Sequence, residues 1–293
     1  MGFDTAYEGL AADDGDLRWA FGTGFHDALA GVDTTIPDGI GGVDLATYCL
    51  MLGDDALIMS HRLQQWLAHA PELEEETALA NIGLDLLGQA RMLLARAGAA
   101  DGSGRTEDDY AFGRQVPEFL NVHLAEVTDA DFGALVFRLL VFSTWRLALL
   151  THLRDSRDPV LAAIAARGIN ELTYHRDYAA QWVVRLGDGT DYSRARVQDG
   201  LRAIVPLTGE LFAATPLELR LARLCIAVDV TGLRSEVDAV LTQVCTAATL
   251  HWPGVADVAA HGGSGRDGQH TPAMAPLLGE LQGLARSFPG ALW

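Results

Sequence analysis

Four long stretches of the sequence repeat apolar residues at the three-to-four spacing of an α-helix, and this pattern constrains the fold most strongly. The stretches cover residues 44–68, 73–97, 132–154 and 159–186. The cleanest apolar stripe, in the fourth stretch, consists of Leu161, Ala165, Gly168, Leu172, His175, Ala179, Trp182 and Leu186. The residue-by-residue alternation of a half-buried strand does not occur in the sequence. We therefore predict an all-α protein.

The order of these stretches predicts how the helices are arranged. A mixed segment, 106–131, separates the second stretch from the third and is long enough to cross from one helix pair to the other. Shorter helical patterns follow at 192–205, 233–249 and 276–287. We predict a ferritin-like four-helix bundle with a long crossover and additional C-terminal helices, formed by residues 44–293. Residues 1–43, which are acidic and rich in glycine, are predicted to be a loosely ordered N-terminal extension.

The charge of the chain limits its partners. The 293 residues include 21 arginines and no lysine against 39 aspartates and glutamates, which gives a formal net charge of −18. Phosphate backbones and anionic membrane surfaces attract clustered cations, so we expect neither nucleic-acid binding nor membrane docking. The most apolar stretch, 132–153, is interrupted by Arg138 and Arg146, which argues against a transmembrane span.

The N-terminal segment and the cysteines predict the compartment. MGFDTAYEGLAADDGD is acidic and lacks the basic and apolar regions of a secretory signal. Cys49, Cys225 and Cys245 lie far apart among apolar residues and form no CxxC pair. We therefore predict buried free thiols in a soluble, cytoplasmic protein.

A ferritin-like oxygenase needs a defined set of metal ligands inside the bundle. Two irons are held by one Glu from each of two helices and by a Glu-x-x-His pair from each of the other two. The spacing of three residues puts both members of a pair on one inward face. A di-iron site in this chain therefore requires that each long helix supplies a carboxylate and that two of the helices supply a histidine.

The sequence contains a degenerate form of this ligand pattern. The fourth stretch offers Glu171 and His175, but the histidine comes one residue late, and the second stretch offers Asp85 without a histidine. In the first stretch Asp55 is the candidate, and at most one of Asp54 and Asp55 is expected to point inward. The pattern alone favours a core histidine hydrogen-bonded to a nearby carboxylate over a ligand pair. Three histidines in or beside glycine-rich loops are expected to be solvated: His251, His261 and His270.

The third stretch argues against a metal site. Residues 132–154 contain no Asp or Glu and carry Arg138 and Arg146. Buried carboxylates at Asp85 and Glu171 would then need another counter-charge, because isolated buried charges are very costly. One hypothesis is that Arg138 or Arg146 replaces the metal charge in a salt-bridge network. The alternative is that both arginines project to solvent or to a subunit interface.

Four blocks of the sequence carry a family resemblance. LGDDALIMSHRLQQWLAHAPELEEETALANIGLDLLGQARMLLARAG (52–98) and NELTYHRDYAAQWVVRLGDGT (170–190) resemble the C-subunit family of phenylacetyl-CoA monooxygenases, also called epoxidases. TGELF (208–212) and the ending GRDGQHT…LLGELQGLARSFPGALW (265–293) fit the same family. The likeness spans residues 44–293.

The resemblance implies a division of labour among subunits. In that family the A-subunit paralogue carries the di-iron centre, the C subunit pairs with it without doing the chemistry, and a small B subunit joins the assembly. A reductase with FAD and iron–sulfur delivers electrons from NADPH, and phenylacetyl-CoA becomes its ring-1,2-epoxide in aerobic phenylacetate breakdown. We therefore expect a non-catalytic, structural subunit with no cofactor and no metal ligand of its own. Trp66 and Trp182 are candidate interface or core anchors.

Two other classes of function stay open. A self-sufficient ferritin-like oxygenase would use an atypical site built from Asp55, Asp85, Glu171 and His175, and it would hold roughly two irons per chain. A helical binding module unrelated to oxygenation would not associate stably with any ferritin-like paralogue.

Overall fold

Ten α-helices build the part of the chain that a computed structural model describes, residues 29–257 and 263–289, and those ranges contain no strand. The helices are α1 (Gly42–Gln64), α2 (Leu73–Ala100), α3 (Glu107–Gly113), α4 (His123–Glu126), α5 (Phe132–Leu153), α6 (Pro159–Gly187), α7 (Asp191–Ile204), α8 (Pro216–Arg223), α9 (Arg234–Ala247) and α10 (Met274–Ser287). The four predicted stretches correspond to α1, α2, α5 and α6. The prediction of an all-α, ferritin-like fold is confirmed.

The chain divides into two units, Met1–Gly31 and Val32–Trp293. Residues 1–28, to which most of the predicted N-terminal extension belongs, lie outside the described residues. The non-helical residues that precede α1 in the second unit contact the bundle, because Arg96 Nη1 of α2 donates to the carbonyl of Thr34 at 2.6 Å.

The long helices pack as two pairs, α1 with α2 and α5 with α6, while α7 and α9 cover α5. The helix α5 begins after Asp131, whose side chain accepts a hydrogen bond from Ala134 N. It is long and apolar enough to cross a membrane, but 89% of its most apolar window is buried within the bundle. Its hydrophobicity is therefore that of a central core helix.

Two helix ends differ from the sequence prediction by three or more residues. The helix α1 ends at Gln64, before the turn around Trp66, although its apolar spacing continues to residue 68. The helix α2 continues beyond residue 97 through Gly98 to Ala100, and Gly98 lies at a close backbone contact. A Cβ atom at Gly98 would lie 2.0 Å from the carbonyl oxygen of Arg105, so no larger residue fits there.

The crossover between the two helix pairs is tied to α1 through two adjacent buried acids. Asp54 accepts hydrogen bonds from Arg114 Nη1 at 2.9 Å and from Leu120 N at 2.8 Å, and Asp55 accepts one from Val122 N at 2.9 Å. Both aspartates are 0% exposed. The prediction that at most one of them points inward is wrong, because the crossover covers this part of α1 and leaves neither carboxylate in contact with solvent.

A glycine-rich loop, 264–272, is held to the body by buried carboxylates instead of apolar contacts. Glu210 accepts hydrogen bonds from Ser264 Oγ at 2.9 Å and from Gly265 N at 2.8 Å. Glu126 accepts one from Thr271 N at 2.6 Å and lies 2.7 Å from His270 Nδ1. The prediction that His270 is solvated is therefore wrong, whereas His251 is exposed as predicted. The third predicted loop histidine, His261, lies outside the described residues.

Two of the three cysteines are buried, as predicted. Burial raises the pKa of the Cys245 thiol to about 12, which makes it unreactive near neutrality. Cys49 is also fully buried, but Cys225 is exposed in the turn after α8. The prediction of three buried thiols is wrong for Cys225, because the apolar residues around it in the sequence do not cover this turn.

Substitution of His270 should change how stability depends on pH. Burial opposes the charge on His270, but the hydrogen bond to Glu126 and its charge outweigh this, so the pKa of His270 is raised above 6.5. The stabilisation of the folded protein by charged His270 is fully present below about pH 6.5 and is lost as the pH rises through the folded-state pKa of His270. We expect His270→Gln to lose about 2 kcal/mol of unfolding free energy at pH 6 and clearly less at pH 9, measured by urea unfolding.

The matched control is His251→Gln, which changes an exposed histidine. It should keep the pH dependence of the unmodified chain. Equal losses at pH 6 and pH 9 for His270→Gln would show that the ring is not charged in the folded protein.

Candidate functional site

The centre of the bundle is occupied by an arginine. Arg146 of α5 is 0% exposed, and its Nε donates to Gln89 Oε1 of α2 at 3.0 Å. Its Nη1 donates to the carbonyl of Leu52 in α1 at 3.2 Å. Burial lowers the pKa of Arg146 to about 10, against the opposing effect of the nearby Asp55 charge, so the guanidinium remains protonated at neutral pH.

Gln89 connects this arginine to the carboxylate on α6. Its Nε2 donates to Glu171 Oε2 at 2.9 Å, while its Oε1 accepts from Arg146. Glu171 also accepts a hydrogen bond from Arg167 Nε at 3.0 Å and is 17% exposed. Arg146 therefore reaches Glu171 through an amide, and the Arg146 side chain does not project to solvent.

Asp85 and His175 contact each other across the seam between α2 and α6. His175 Nε2 lies 3.0 Å from Asp85 Oδ2. The imidazole is 0% exposed, whereas the Asp85 side chain is 38% exposed. The pair is thus a core histidine hydrogen-bonded to a carboxylate at the rim. The expectation that Asp85 is a buried charge in need of a cation is wrong, because the α2–α6 seam leaves this carboxylate open to water.

Asp55 is neutralised by an arginine from the C-terminal loop. Arg266 Nη1 and Nη2 donate to the two carboxylate oxygens of Asp55 at 3.0 and 2.8 Å, a bidentate pairing. Arg266 also donates to the carbonyls of Leu120, at 2.6 Å, and Met51, at 2.9 Å. Although burial opposes its charge, the Asp55 carboxylate raises the pKa of Arg266 above its usual value. The pair is buried on both sides, with 4% and 0% of the two side chains exposed.

Arg138 forms an ion pair with a different carboxylate from those predicted. Its side chain is 0% exposed, and its Nε donates to Asp129 Oδ1 at 2.8 Å. Asp129 lies in the loop between α4 and α5, nine residues before the arginine. The hypothesis that Arg138 pairs with Asp85 or Glu171 is therefore wrong, and so is the alternative that it projects to solvent.

The four degenerate positions do not form one donor set. Asp55 is engaged by Arg266, Asp85 contacts His175, and Glu171 is held by Gln89 and Arg167. Within the described residues, only the side chains of Glu72, Glu74 and Glu75, at the start of α2, come close enough together to share a metal ion. The residues that the long helices bring to the bundle centre therefore do not fit a di-iron centre, which needs several carboxylates facing one another.

Sequence reasoning missed two members of this network, Gln89 and Arg266. Gln89 is 0% exposed and lies one turn after Asp85 on the same face of α2, so helical spacing could have found it. Arg266 is 211 residues from Asp55 and lies in a glycine-rich loop. No local pattern marks such a partner; the only signal was the need of a buried Asp55 for a cation.

The Asp55–Arg266 pair should show strong energetic coupling. Arg266→Met leaves a buried, unpaired carboxylate and should lower the free energy of unfolding by about 3–5 kcal/mol. The double variant Asp55→Asn/Arg266→Met should recover at least about 2 kcal/mol relative to the sum of the single variants, because the charges are removed together. Urea unfolding of the four proteins completes the cycle. Additive losses would contradict a direct ion pair.

Comparisons with known proteins agree with the family resemblance of the sequence. A family model described as phenylacetic acid catabolic protein matches residues 42–293. The chain is 42% identical over 249 residues to an Escherichia coli (strain K12) protein named as the C subunit of 1,2-phenylacetyl-CoA epoxidase. That alignment covers 85% of this chain and 99% of the relative. The chain therefore belongs to the phenylacetic acid catabolic protein family.

Proposed function

We propose that this chain is a non-catalytic, structural subunit of a multicomponent di-iron monooxygenase that epoxidises phenylacetyl-CoA in phenylacetate catabolism. It pairs with a catalytic A-type paralogue and stabilises it, and the paralogue supplies the di-iron centre. A small B subunit and a reductase carrying FAD and iron–sulfur, fed by NADPH, complete the assembly. The chain acts in the cytoplasm.

The pairing of Asp55 with Arg266 carries this proposal. In a catalytic ferritin-like subunit, a carboxylate at the bundle centre would be free to ligate iron. In this chain both oxygens of Asp55 accept hydrogen bonds from a buried guanidinium. The cation Arg146 occupies α5, the helix that brings no acid to the centre. With Asp55 paired and Glu171 held by Gln89 and Arg167, the carboxylates that would have to balance the charge of two irons are already engaged.

The substrate class comes from the relative. The Escherichia coli protein is named as a subunit of an epoxidase that acts on phenylacetyl-CoA, and the two chains align over 99% of that protein. A subunit name also implies that the active enzyme has further chains. If both points are applied to this chain, they favour a role in an oxygenase complex over that of an unrelated helical binding module.

The second candidate function is a self-sufficient oxygenase built on Asp55, Asp85, Glu171 and His175. It requires Asp55 to exchange Arg266 for a metal and Asp85 to turn inward from the rim. Since the imidazole of His175 is already hydrogen-bonded to Asp85, this arrangement would need several buried contacts to break together.

Reconstitution of turnover separates the two functions. We expect the isolated chain to form no epoxide with phenylacetyl-CoA, reductase and NADPH, and turnover to begin when the A-type paralogue is added. In that complex, Glu171→Gln or His175→Gln in this chain should change kcat/KM by less than about threefold, because neither residue touches the reacting atoms.

The matched control is the substitution of one iron-ligating Glu in the paralogue, which should abolish turnover. Product formation by this chain alone, lost in Glu171→Gln, would contradict the structural role. Failure of the two chains to co-purify in the absence of substrate would favour the unrelated binding module.

A further inference from the structure

Aromatic side chains of α6, the start of α5 and the turn after α1 form a band at one end of the bundle. The ring of Phe132 packs edge-on against Trp182 with centroids 5.0 Å apart, and Tyr174 stacks on Tyr178 at 6.4 Å. Tyr178 and Trp182 are one helical turn apart on α6, and Trp66 faces Phe132 across a surface cavity. None of the five rings is fully buried, and Tyr174 is 52% exposed. These five residues are called the aromatic band.

The arginine and the two aspartates that line the cavity beside Trp66 are already engaged by other groups of the chain. This cavity has a volume of about 530 Å³ and is lined by Arg62, Gln65, Trp66, His69, Thr128, Asp129, Asp131 and Phe132. Arg62 donates to the carbonyls of Glu126 and Ala273, and Asp129 pairs with Arg138. Trp66 and Phe132 supply the large apolar surfaces of the cavity. The cavity is therefore suited to an apolar or aromatic side chain.

An acidic turn adjoins the aromatic band. The carboxylates of Glu72, Glu74 and Glu75, at the start of α2, lie within 4.8 Å of one another. In the described part of the chain, no lysine or arginine forms an ion pair with them. Glu75 also lies close to Tyr178 of the aromatic band. Burial and the charge of the Glu75 carboxylate together raise the pKa of this tyrosine. Leu73, 71% exposed, lies within the turn. The surface thus combines exposed apolar groups with unpaired negative charge.

We infer that the aromatic band and the acidic turn Glu72–Glu75 form the docking surface for the catalytic paralogue. The docking segment carries an aromatic or aliphatic anchor that enters the cavity beside Trp66, flanked by lysines or arginines that pair with the acidic turn. This inference rests on the proposed function, since it names the surface used by the partner proposed there.

Two physical considerations identify the occupant. Trp and Tyr with partly exposed rings are the side chains that contribute most to protein–protein binding energy, and Trp66 and Trp182 both belong to the band. A second copy of this chain would bring the same acidic turn against itself, and like charges facing each other disfavour that contact. A partner with a basic segment removes the repulsion among the three glutamates, and its attraction also speeds encounter.

The affinity of this chain for the purified paralogue, measured by biolayer interferometry at two salt concentrations, tests the inference. Tyr174→Ala should weaken binding by about tenfold at either salt, because it removes an exposed ring from the band. The double variant Glu72→Lys/Glu74→Lys should slow association by about tenfold at low salt and by much less at high salt.

Matched controls separate a docking surface from general effects of charge and hydrophobicity. Leu284→Ala removes an exposed apolar side chain on α10, and Asp155→Lys/Glu236→Lys reverses two exposed acids outside the band and the acidic turn. Both should bind as the unmodified chain does, and all variants should melt within a few degrees of it by circular dichroism.

The outcomes distinguish failure of this inference from failure of the proposed function. If the unmodified chain binds the paralogue but Tyr174→Ala and Glu72→Lys/Glu74→Lys bind equally well, the docking surface lies elsewhere and the inference is overturned. If the unmodified chain does not bind the paralogue at all, the proposed structural role is overturned and the docking surface with it.

Discussion

A carboxylate buried in a helical bundle needs a positive charge beside it. In this protein, a guanidinium group pairs with each of the two adjacent aspartates of α1. Asp55 receives Arg266 from the C-terminal loop, and Asp54 receives Arg114 from the crossover. Because the desolvation of two neighbouring carboxylates is very costly, both arginines are expected to contribute strongly to stability. The two pairs bind the connecting segments to the helix they cover. The same interactions therefore set the architecture and the charge of the centre.

The centre that results is a network of paired charges linked by hydrogen bonds. Arg146 donates hydrogen bonds to Leu52 of α1 and to Gln89 of α2, and Gln89 in turn donates one to Glu171 of α6. One side chain on α5 thus joins the other three long helices, two directly and one through an amide. An iron pair would place its charge in the same part of a ferritin-like bundle. A fixed guanidinium network holds the helices together without redox chemistry, which suits the structural role that we propose for this chain.

Local periodicity predicted the four long helices because each of them buries a stripe of its own residues, as Leu161 to Ala179 do on α6. It predicted His175 beside a carboxylate for the same reason. It could not predict Arg266 as the partner of Asp55, since a glycine-rich loop has no period and the pair is separated by 211 residues. It also misjudged Asp54 and Asp85, because their exposure depends on which segment covers α1 and on how closely α2 approaches α6.

A bundle whose central carboxylates are already paired should not take up iron, and its metal content is the most direct test. The isolated chain should be titrated anaerobically with Fe(II) and passed through a desalting column before iron is quantified. We expect less than about one tenth of an iron per chain, against roughly two for a competent di-iron bundle. Retention of about two irons per chain, lost when Asp55 is replaced by alanine, would contradict a structural role, because Asp55 cannot ligate iron and pair with Arg266 through the same two oxygens.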